Sequence, residues 1–380
     1  MIYGKKELNL EKIQRMGLLA IKIGQFQALR LDFLPLEKCQ KLSFLYRLNN
    51  DIPPEKVLNK IDRSIFSELE EVPIASASVG QVHKGKYKGI EVAVKIIKQD
   101  FRKSFIKDVN SIRKFFKFII FFYPKLSKVF DPEGIIDHIE EYTLKEIDLL
   151  KEIEGEEILK NIYELNNDKY DLSDIAFPEI YKEISNSDMM VSQFIDGKTF
   201  DELLNEKKLP YETLLKLFKV HGFYLFKVGT FHGDIHPGNL VLKDDKIYFI
   251  DTGAISRAST RLSQGLLLFF ESLSEYDYEK CALNLNKMAV EPIEGKKYAE
   301  FEKKFINLYK DFKDATVSQV SLTKKMMETI KLGVNSGMRF EKGMFPIIKS
   351  LMYLDGMVLK CNPDAILLKD MRKYIDELKI

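Results

Sequence analysis

Two aspartates and an asparagine in the middle of the chain have the side-chain types and the spacing that phosphoryl transfer requires. Asp234 is followed five residues later by Asn239, and Asp251 comes twelve residues after Asn239. The Asp234 carboxylate would orient a nucleophile, while the Asn239 amide oxygen and the Asp251 carboxylate would hold Mg²⁺ against phosphate groups. We therefore predict Mg²⁺-dependent phosphoryl transfer at these three residues.

The residues around these side chains form a motif that is much richer than a short pattern match. The segment 232–239 reads His-Gly-Asp-Ile-His-Pro-Gly-Asn, and the β-rich segment 246–250 is expected to carry Asp251 to the site as a strand. This layout of Asp, Asn and Asp-x-Gly is typical of protein-kinase-like enzymes. The alternative interpretation, a polar turn between a helix and a hairpin, is disfavoured by the richness of the motif.

A second candidate element lies upstream of the two aspartates. The segment that ends at Lys95 reads Val-Ala-Val-Lys, the pattern by which a strand delivers a lysine to the α- and β-phosphates. In the preceding hairpin, Ala75, Ser76, Ala77 and Ser78 are small enough to let backbone N–H groups approach a triphosphate. Because alanine disfavours positive φ, we expect this loop to be stiffer than a glycine-rich loop. The tetrapeptide also occurs in ordinary strands, and its position upstream of the aspartates favours the phosphate role.

Acidic residues cluster in the helical segment that follows. Asp148 and Glu152 are four residues apart, which would place them on one helix face, where two like charges favour a nearby cation. Lys95 is the natural partner for Glu152, because a lysine–glutamate ion pair positions phosphates in kinases. Acidic residues continue to Glu157, so a solvated acidic helix is the alternative interpretation. We extend the functional interpretation to Glu146, Asp148 and Glu152 only.

The N-terminal part of the chain is predicted to be helical over residues 9–31, where apolar residues recur at helical spacing. Lys22 and Gln25 lie three residues apart and would share a face of this helix. Gly24 costs a helix about 1 kcal/mol relative to alanine, which indicates close approach to another element. Taken alone, the Lys22 and Gln25 pair is a weak signal, and a solvated pair on the helix surface is the favoured interpretation.

Two strands, over 177–181 and 189–195, are predicted to complete a small sheet. The chain then breaks at Asp196-Gly197, where a kinase-like hinge would offer backbone groups to an adenine, and Gln193 belongs to the expected nucleotide-binding set. Past this break the pattern is helical, and we expect four or five helices beyond residue 258.

Length and composition favour a globular protein with two domains. The chain has 380 residues, of which 45% are hydrophobic, enough for a proper core. Because 59 basic residues nearly balance 57 acidic ones, we expect no nucleic-acid partner. The three cysteines, Cys39, Cys281 and Cys361, are far apart and form no CxxC pair. They predict a reducing compartment without disulfides or a zinc site.

The N-terminal residues lack an apolar signal core, and no run approaches the roughly eighteen apolar residues of a spanning helix. We therefore expect a cytoplasmic protein, with peripheral attachment to the cytoplasmic membrane face as an open alternative. The candidate contact is 113–128, where an aromatic run is flanked by lysine and arginine. That composition suits an interfacial helix on anionic lipid. We favour the alternative, a helix buried in the core, because continuous aromatic residues are more often core than membrane anchor.

Together these segments resemble the UbiB/ADCK (AarF-type) family of atypical protein-kinase-like proteins. The resemblance runs from about residue 15 to about residue 260. The Lys-x-Gly-Gln, alanine-rich and Glu-x-Asp elements are peculiar to the family, so the match is specific. In chain order the matching segments are 22–25 (Lys-Ile-Gly-Gln), 73–83 (Pro-Ile-Ala-Ser-Ala-Ser-Val-Gly-Gln-Val-His), 92–95 (Val-Ala-Val-Lys), 146–148 (Glu-Ile-Asp) with Glu152, 232–239, and 251–253 (Asp-Thr-Gly).

The resemblance implies an α+β, bilobal protein-kinase-like fold that binds Mg-ATP. A family-specific helical extension with the Lys-x-Gly-Gln helix would occupy 1–71. A small N-lobe sheet with inserted helices would occupy 72–197, and a mostly helical C-lobe would occupy 198–380.

The resemblance also implies residue roles. Lys95 would be the phosphate lysine and Glu152 its ion-pair partner. Asp234 would be the catalytic aspartate, and Asn239 and Asp251 would be the metal ligands.

A further set of residues is implied to occlude the active site. The Lys-x-Gly-Gln helix would fold across that site, with Lys22 meeting Glu146 where a protein substrate would lie. The residues expected to act in this way are Lys22, Gly24, Gln25, Glu146 and Asp148.

The family is linked to ubiquinone and isoprenoid-lipid metabolism, and is better regarded as an ATPase than as a protein kinase. We therefore expect an atypical kinase or ATPase whose partners are ATP and a prenyl lipid or quinone precursor. Two alternatives stay open: a small-molecule phosphotransferase of the aminoglycoside or choline kinase type, and a nucleotide-gated scaffold at the membrane. Thr252 stands where the family usually has Phe, which changes the packing behind the metal ligand.

Overall fold

The computed structural model describes six stretches of the chain, and its contacts divide the chain into two compact units. One unit is Met1–Glu154 with Pro178–Phe194, and the other is Gly155–Phe177 with Ile195–Ile380. The three segments expected from the sequence, with boundaries after residues 71 and 197, stay a prediction. The described residues are 8–28, 36–46, 52–77, 79–122, 132–341 and 343–378.

The first unit combines helices with one antiparallel sheet. Its helices are α1 (Leu10–Arg15), α2 (Leu18–Ala28), α3 (Leu36–Ser43), α4 (Pro54–Leu58), α5 (Phe101–Phe122) and α6 (Pro132–Glu146). Its strands are β1 (Glu68–Leu69), β2 (Ala75–Ser76), β3 (Gly80–Tyr87), β4 (Ile90–Ile97) and β6 (Met189–Gln193). Strand β5 (Ile175–Ala176) belongs to the other unit. The strand order is β1-β3-β4-β6, and β2 pairs with β3.

Strand β4 places its buried valines and Lys95 on opposite faces of the sheet. Val92, Val94 and Ile96 are completely buried and belong to a core cluster on one side of the sheet. Because side chains alternate along a strand, Lys95 points to the opposite side. The alternation of this strand therefore fixes where the candidate phosphate lysine lies.

Two sequence predictions for the first unit are wrong in detail. The helix predicted over 9–31 is interrupted between α1 and α2, because Gly17 adopts a left-handed conformation with φ of 95°. The strand predicted over 177–181 is absent from this described segment, which contains only an isolated bridge between Ile180 and Ser192. Pro178 has no N–H to donate to a ladder, which disfavours a strand there.

The second unit is mostly helical. Helix α7 (Leu149–Tyr170) enters it from Gly155 onward. Its other helices are α8 (Phe200–Asn205), α9 (Tyr211–Gly222), α10 (Thr260–Ser274), α11 (Tyr278–Met288), α12 (Gly295–Leu308), α13 (Leu322–Ser336), α14 (Met344–Cys361) and α15 (Leu367–Glu377). Six of these helices lie beyond residue 258 in the described part of the chain, so the predicted four or five were too few.

Two small sheets carry the candidate catalytic motif, residues 232–253, in the second unit. One has the order β5-β10-β9-β7, and the other pairs β11 with β8. Their strands are β5 (Ile175–Ala176), β7 (Lys198–Thr199), β8 (Thr230–His232), β9 (Leu240–Lys243), β10 (Lys246–Phe249) and β11 (Ile255–Arg257).

The helical core holds the start of the candidate catalytic motif in place. Helix α9 continues into a π-helical turn, Phe223–Val228, which ends where Gly229 takes a φ of 74°. The chain then enters β8, and Phe231 on this strand is completely buried in the largest core cluster. His232 therefore follows directly from an anchored core residue.

Candidate active site

The β9–β10 hairpin brings Asn239 and Asp251 to one end of a sheet. Its turn consists of Asp244 and Asp245, both with positive φ, a conformation that aspartate tolerates in tight hairpins. At the open end, the backbone N–H of Ile250 donates to the carbonyl oxygen of Asn239 at 3.0 Å. The strand predicted over 246–250 is thus present as β10, and it delivers Asp251 beside the asparagine.

His232 joins the two aspartates through their backbones. Its Nδ1 accepts a hydrogen bond from the backbone N–H of Asp234 at 3.1 Å, so its Nε2 must carry the proton that is donated to the Asp251 carbonyl oxygen. Burial lowers the pKa of His232, which favours this neutral form. The neutral imidazole therefore links the backbone at Asp234 to the backbone at Asp251 through two hydrogen bonds.

The Asn239 side chain is oriented by a hydrogen bond to the same loop. Its Nδ2 donates to the backbone carbonyl of Asp234 at 3.0 Å. The opposite orientation would bring two carbonyl oxygens together, so the amide oxygen of Asn239 is left for another ligand. Asp251 Oδ1 accepts from the backbone N–H of Gly253 at 3.2 Å.

This donor set fits Mg²⁺ that arrives with a nucleotide. A carboxylate and an amide oxygen are hard oxygen ligands, and Mg²⁺ is usually bound by one or two carboxylates together with substrate phosphates. Among the described residues no group of three His, Cys, Asp or Glu side chains could hold a metal ion. The residues present suit a shared metal–phosphate site, with Asn239 and Asp251 as the protein ligands.

Asp234 has an ion-pair partner that sequence analysis did not find. The Nζ of Lys349, on α14, lies 2.9 Å from Asp234 Oδ2. The other oxygen, Asp234 Oδ1, is buried and has no hydrogen-bond partner among the described residues. No sequence signal identifies Lys349, which lies 115 residues beyond Asp234 in an ordinary helical pattern.

In the first unit, Lys95 and Glu152 form the expected ion pair. The Nζ of Lys95 lies 2.7 Å from both Oε1 and Oε2 of Glu152, and only 16% and 7% of the two side chains are exposed. Strand β4 supplies the lysine and α7 supplies the glutamate. Removing either partner of this largely buried pair would leave the other charge uncompensated, which would destabilise the fold.

The small-residue loop is held by a second buried lysine. Ala75 and Ser76 pair with β3, and the backbone N–H of Ala77 donates to Gly80 at 2.8 Å. The Nζ of Lys98, only 2% exposed, donates to the Ala77 carbonyl at 2.7 Å. The loop is therefore braced from the end of β4.

Ser78 and Gln193 are the two remaining positions of the predicted nucleotide-binding set. Ser78 lies outside the described residues. Gln193 ends β6, and its backbone N–H donates to Glu179 at 2.7 Å. That N–H is therefore already used, and a nucleotide would have to use other groups of Gln193.

The Lys22 and Glu146 side chains also meet. Lys22 Nζ lies 2.5 Å from Glu146 Oε2, and only 4% of the Lys22 side chain is exposed. Gln25 is likewise buried and donates to the Leu45 carbonyl at 3.0 Å. At Gly24 a β-carbon would lie 2.3 Å from Leu45 Cδ1, so this glycine does permit a close approach.

Asp148 does not lie on the same helix face as Glu152, contrary to the prediction. Helix α6 ends before it and α7 begins after it, because Asp148 Oδ1 accepts from the backbone N–H of Leu150 as a helix cap. Its Oδ2 lies 3.2 Å from Arg102. The cation near Asp148 is therefore an arginine of α5.

The aromatic segment is only partly described. In α5, Phe101, Phe105 and Val109 are buried, while 59% of Phe115 and 64% of Phe118 are exposed. The side chains of 119–122 and all of 123–131 lie outside the described residues. Among the described residues no helix is long and apolar enough to cross a membrane.

Comparison with known proteins identifies the family. Residues 53–285, more than half of the chain, match the ABC1 atypical kinase-like domain. The chain belongs to this family. The α+β kinase-like fold class predicted from the sequence is thereby confirmed, as is the UbiB/ADCK resemblance.

Named relatives span most of this ABC1-family chain. An uncharacterised aarF domain-containing protein kinase of Arabidopsis thaliana chloroplasts is 25% identical, covering 96% of this chain and 74% of the relative. A probable protein kinase UbiB of Blochmanniella pennsylvanica is 24% identical, covering 97% and 70%. The chloroplast protein Activity of bc1 complex kinase 8 of Arabidopsis thaliana is 29% identical over 74% of this chain, which spans only 38% of that longer protein.

A solved structure shares the fold of this ABC1-family chain. The Mycobacterium tuberculosis protein Rv3197, solved with erythromycin, has a TM-score of 0.52 and 18% identity, covering 93% of this chain and 90% of that one. At this identity the likeness supports the fold.

Proposed function

We propose that this ABC1-family protein is a Mg-ATP-dependent atypical kinase or ATPase of the UbiB type. One observation carries the proposal: His232 braces the backbones of Asp234 and Asp251, while Asn239 is hydrogen-bonded to Asp234. Hydrogen bonds thus hold Asp234, Asn239 and Asp251, the three groups that phosphoryl transfer needs, in place before a substrate binds.

Each residue has a defined task in this reaction. Asp234 accepts a hydrogen bond from the attacking hydroxyl or water, whose oxygen forms the new bond to the γ-phosphorus. The bond from that phosphorus to the β,γ-bridging oxygen breaks, its electron pair leaves on ADP, and the proton of the nucleophile passes to Asp234. Lys95, held by Glu152, binds the α- and β-phosphates.

Magnesium would be held by Asn239 and Asp251. When bound, the ion neutralises phosphate charge and fixes the orientation of the triphosphate. The protein contributes two oriented oxygen ligands, and its hydrogen bonds keep them in place before the nucleotide arrives.

The Lys22 helix is proposed to restrict access of protein substrates. Lys22 is buried against Glu146, and Gln25 is buried against Leu45, so the helix is packed by polar as well as apolar contacts. A helix in the covering position that the family resemblance implies would favour hydrolysis or a small lipid-soluble acceptor over phosphorylation of a protein. The prenyl-lipid or quinone-precursor context comes from the resemblance to the UbiB/ADCK family, to which the relative named UbiB gives its name.

The membrane contact is proposed for the outer face of α5. Phe115 and Phe118 are exposed there, next to exposed Lys114 and Lys117. Aromatic rings edged by lysines suit the headgroup region of an anionic bilayer. The protein would then act at the cytoplasmic face of a membrane.

An ADP-release assay tests the proposal. Wild-type protein should turn over ATP only with Mg²⁺, and liposomes with a phenolic quinone-precursor mimic should increase the rate. Asp234→Asn should lower turnover by about 10²- to 10⁴-fold. Asp244→Asn, in the exposed hairpin turn, is the matched control and should keep the full rate.

Three outcomes of this assay are informative. Turnover by Asp234→Asn at the wild-type rate would refute the assignment of Asp234 as the catalytic aspartate. Nucleotide binding without turnover in the wild type would support a nucleotide-gated scaffold instead. Turnover driven by a water-soluble alcohol and indifferent to lipid would support a small-molecule phosphotransferase.

A further inference from the structure

Helix α14 lies along the catalytic loop of its own unit. Lys349 Nζ is 2.9 Å from Asp234 Oδ2, and one turn later the Tyr353 ring meets the His236 ring edge-on with centroids 5.2 Å apart. The Lys349 ammonium also lies 5.8 Å from the centre of the Tyr353 ring. One face of α14 therefore contacts both ends of the Asp-Ile-His segment.

The Lys349 ammonium is in an unusual setting for a lysine. The residue is only 8% exposed, and its Asp234 partner has a side chain that is 22% exposed. Removing an ammonium and a carboxylate from water is unfavourable, and apolar residues of similar volume often stabilise a fold as well as such a pair does. The pair is therefore better explained by chemistry at Asp234 than by stability.

The two carboxylate oxygens of Asp234 are in different environments. Oδ2 contacts Lys349, whereas Oδ1 is buried and has no hydrogen-bond partner among the described residues. A buried acceptor without a donor is unfavourable unless a ligand supplies one. The nucleophile of phosphoryl transfer, a hydroxyl or a water, has such a donor.

We propose that Lys349 is a positioning residue for phosphoryl transfer. It holds Asp234 by Oδ2, so that Oδ1 stays free to accept the hydrogen bond of the attacking O–H. It also balances the negative charge of Asp234, which otherwise would face the triphosphate uncompensated. The inference rests on the proposed function, because it requires Asp234 to be the residue that orients the nucleophile.

Steady-state kinetics of Lys349→Met test this role. Misplacing a reacting group by about 1 Å costs on the order of 100-fold in rate, so we expect kcat to fall by about that factor. The KM for ATP should change little, because Lys349 is not assigned to the nucleotide. Lys349→Arg should recover part of kcat. Lys360→Met, an exposed lysine of the same helix, is the matched control and should match the wild type.

A double-mutant cycle separates positioning from a purely structural role. In an Asp234→Ala background, Lys349→Met should cause no further loss, because the residue acts only through Asp234. Independent losses in the two variants would overturn the proposal. If Lys349→Met does not fold, Lys349→Gln, which keeps a polar side chain of similar length, is measured instead with the same expectation.

The test also distinguishes the two levels of inference. A wild-type protein that neither binds Mg-ATP nor releases ADP would refute the proposed function itself. A wild type that turns over ATP, together with Lys349→Met at the wild-type kcat, would refute the role of Lys349 alone.

Discussion

Gly155 packs directly against the backbone of Thr252, the residue that follows the candidate metal ligand. A β-carbon at position 155 would lie 2.2 Å from the Thr252 carbonyl oxygen and 2.9 Å from Ile255 Cγ1. Hydrogen bonds at Asp251 and Gly253 hold the backbone on both sides of Thr252. The Thr252 carbonyl oxygen therefore cannot shift without disturbing those bonds. Helix α7 therefore supports the Asp251 loop through a position where a side chain does not fit.

The first prediction follows from this contact. Gly155→Ala should displace the Asp251 loop, weaken Mg-ATP binding and destabilise the fold by about 1–3 kcal/mol, as overpacking usually does. Gly356→Ala is the matched control, because no atom lies within 4 Å of its β-carbon position in α14. The control should be neutral or more stable by up to about 1 kcal/mol from helix propensity. Thermal unfolding and nucleotide titration measure both effects, and equal behaviour of the two variants would contradict the close contact.

The second prediction concerns Asp251. Asp251→Asn should abolish most Mg-dependent binding of ATP, because a neutral amide binds Mg²⁺ more weakly than a carboxylate does, and the phosphate charge is neutralised by that ion. At ATP about 100-fold above its Kd, the wild type should gain about 2.7 kcal/mol of apparent stability. A thermal-shift experiment should show this gain in the wild type and its loss in the variant. Full Mg-ATP stabilisation of Asp251→Asn would exclude the metal role.

The third prediction concerns the ion pair of the first unit. Either Lys95→Met or Glu152→Gln should reduce ATP turnover, and the double variant should be no worse than the more damaging single one. The reason is that each residue is bound to the other at 2.7 Å and acts as part of one pair. Additive losses in the cycle would show that the two side chains act separately.

The fourth prediction concerns α5. Replacing exposed Phe115 and Phe118 by Ser should reduce co-sedimentation with anionic liposomes, with little change in melting temperature. Leu165→Ser removes a still more exposed apolar side chain (75% exposed) from α7, and this control should keep liposome binding. Unchanged binding by the double phenylalanine variant would exclude this face as the membrane contact.

The fifth prediction is a loss of stability in mild acid. Burial lowers the pKa of His221 to about 3, and burial also lowers the pKa of His232. Below a pH of about 6.5 the unfolded chain binds protons that the folded chain does not, so the free energy of unfolding decreases as pH falls. The melting temperature should therefore drop between pH 7.5 and pH 5.5. His221→Leu should weaken this dependence, and an unchanged pH profile would contradict a buried neutral His221.

Local sequence was sufficient to predict the elements that depend on neighbours in the chain. The Val-Ala-Val-Lys alternation places Lys95 opposite the buried face of β4, and the β-rich segment 246–250 forms a strand beside Asp251. The spacing of Asp234 and Asn239 is likewise short enough for one loop to bring them together. Periodicity and motif spacing report on residues that are close in sequence, and each of these three features depends only on such neighbours.

Helix boundaries were predicted less well, because caps and turns decide them. Asp148 looked like part of a helix face by its spacing from Glu152, but its side chain caps α7. Gly17 divides the N-terminal helix by adopting a left-handed conformation. In both cases the conformation or the hydrogen bond of a single residue interrupted a helix that the spacing of residues predicted to continue.

Only the tertiary structure revealed the contacts between residues far apart in sequence. Lys349 lies in a helix with no motif of its own, and Gly155 is an ordinary helical glycine until Thr252 is seen against it. By itself, then, the sequence determined the family and the fold class, and it predicted the loop that is proposed to carry the chemistry. The structure decided which buried charge balances Asp234 and which helix supports Asp251, because such contacts depend on how distant helices pack rather than on any local pattern.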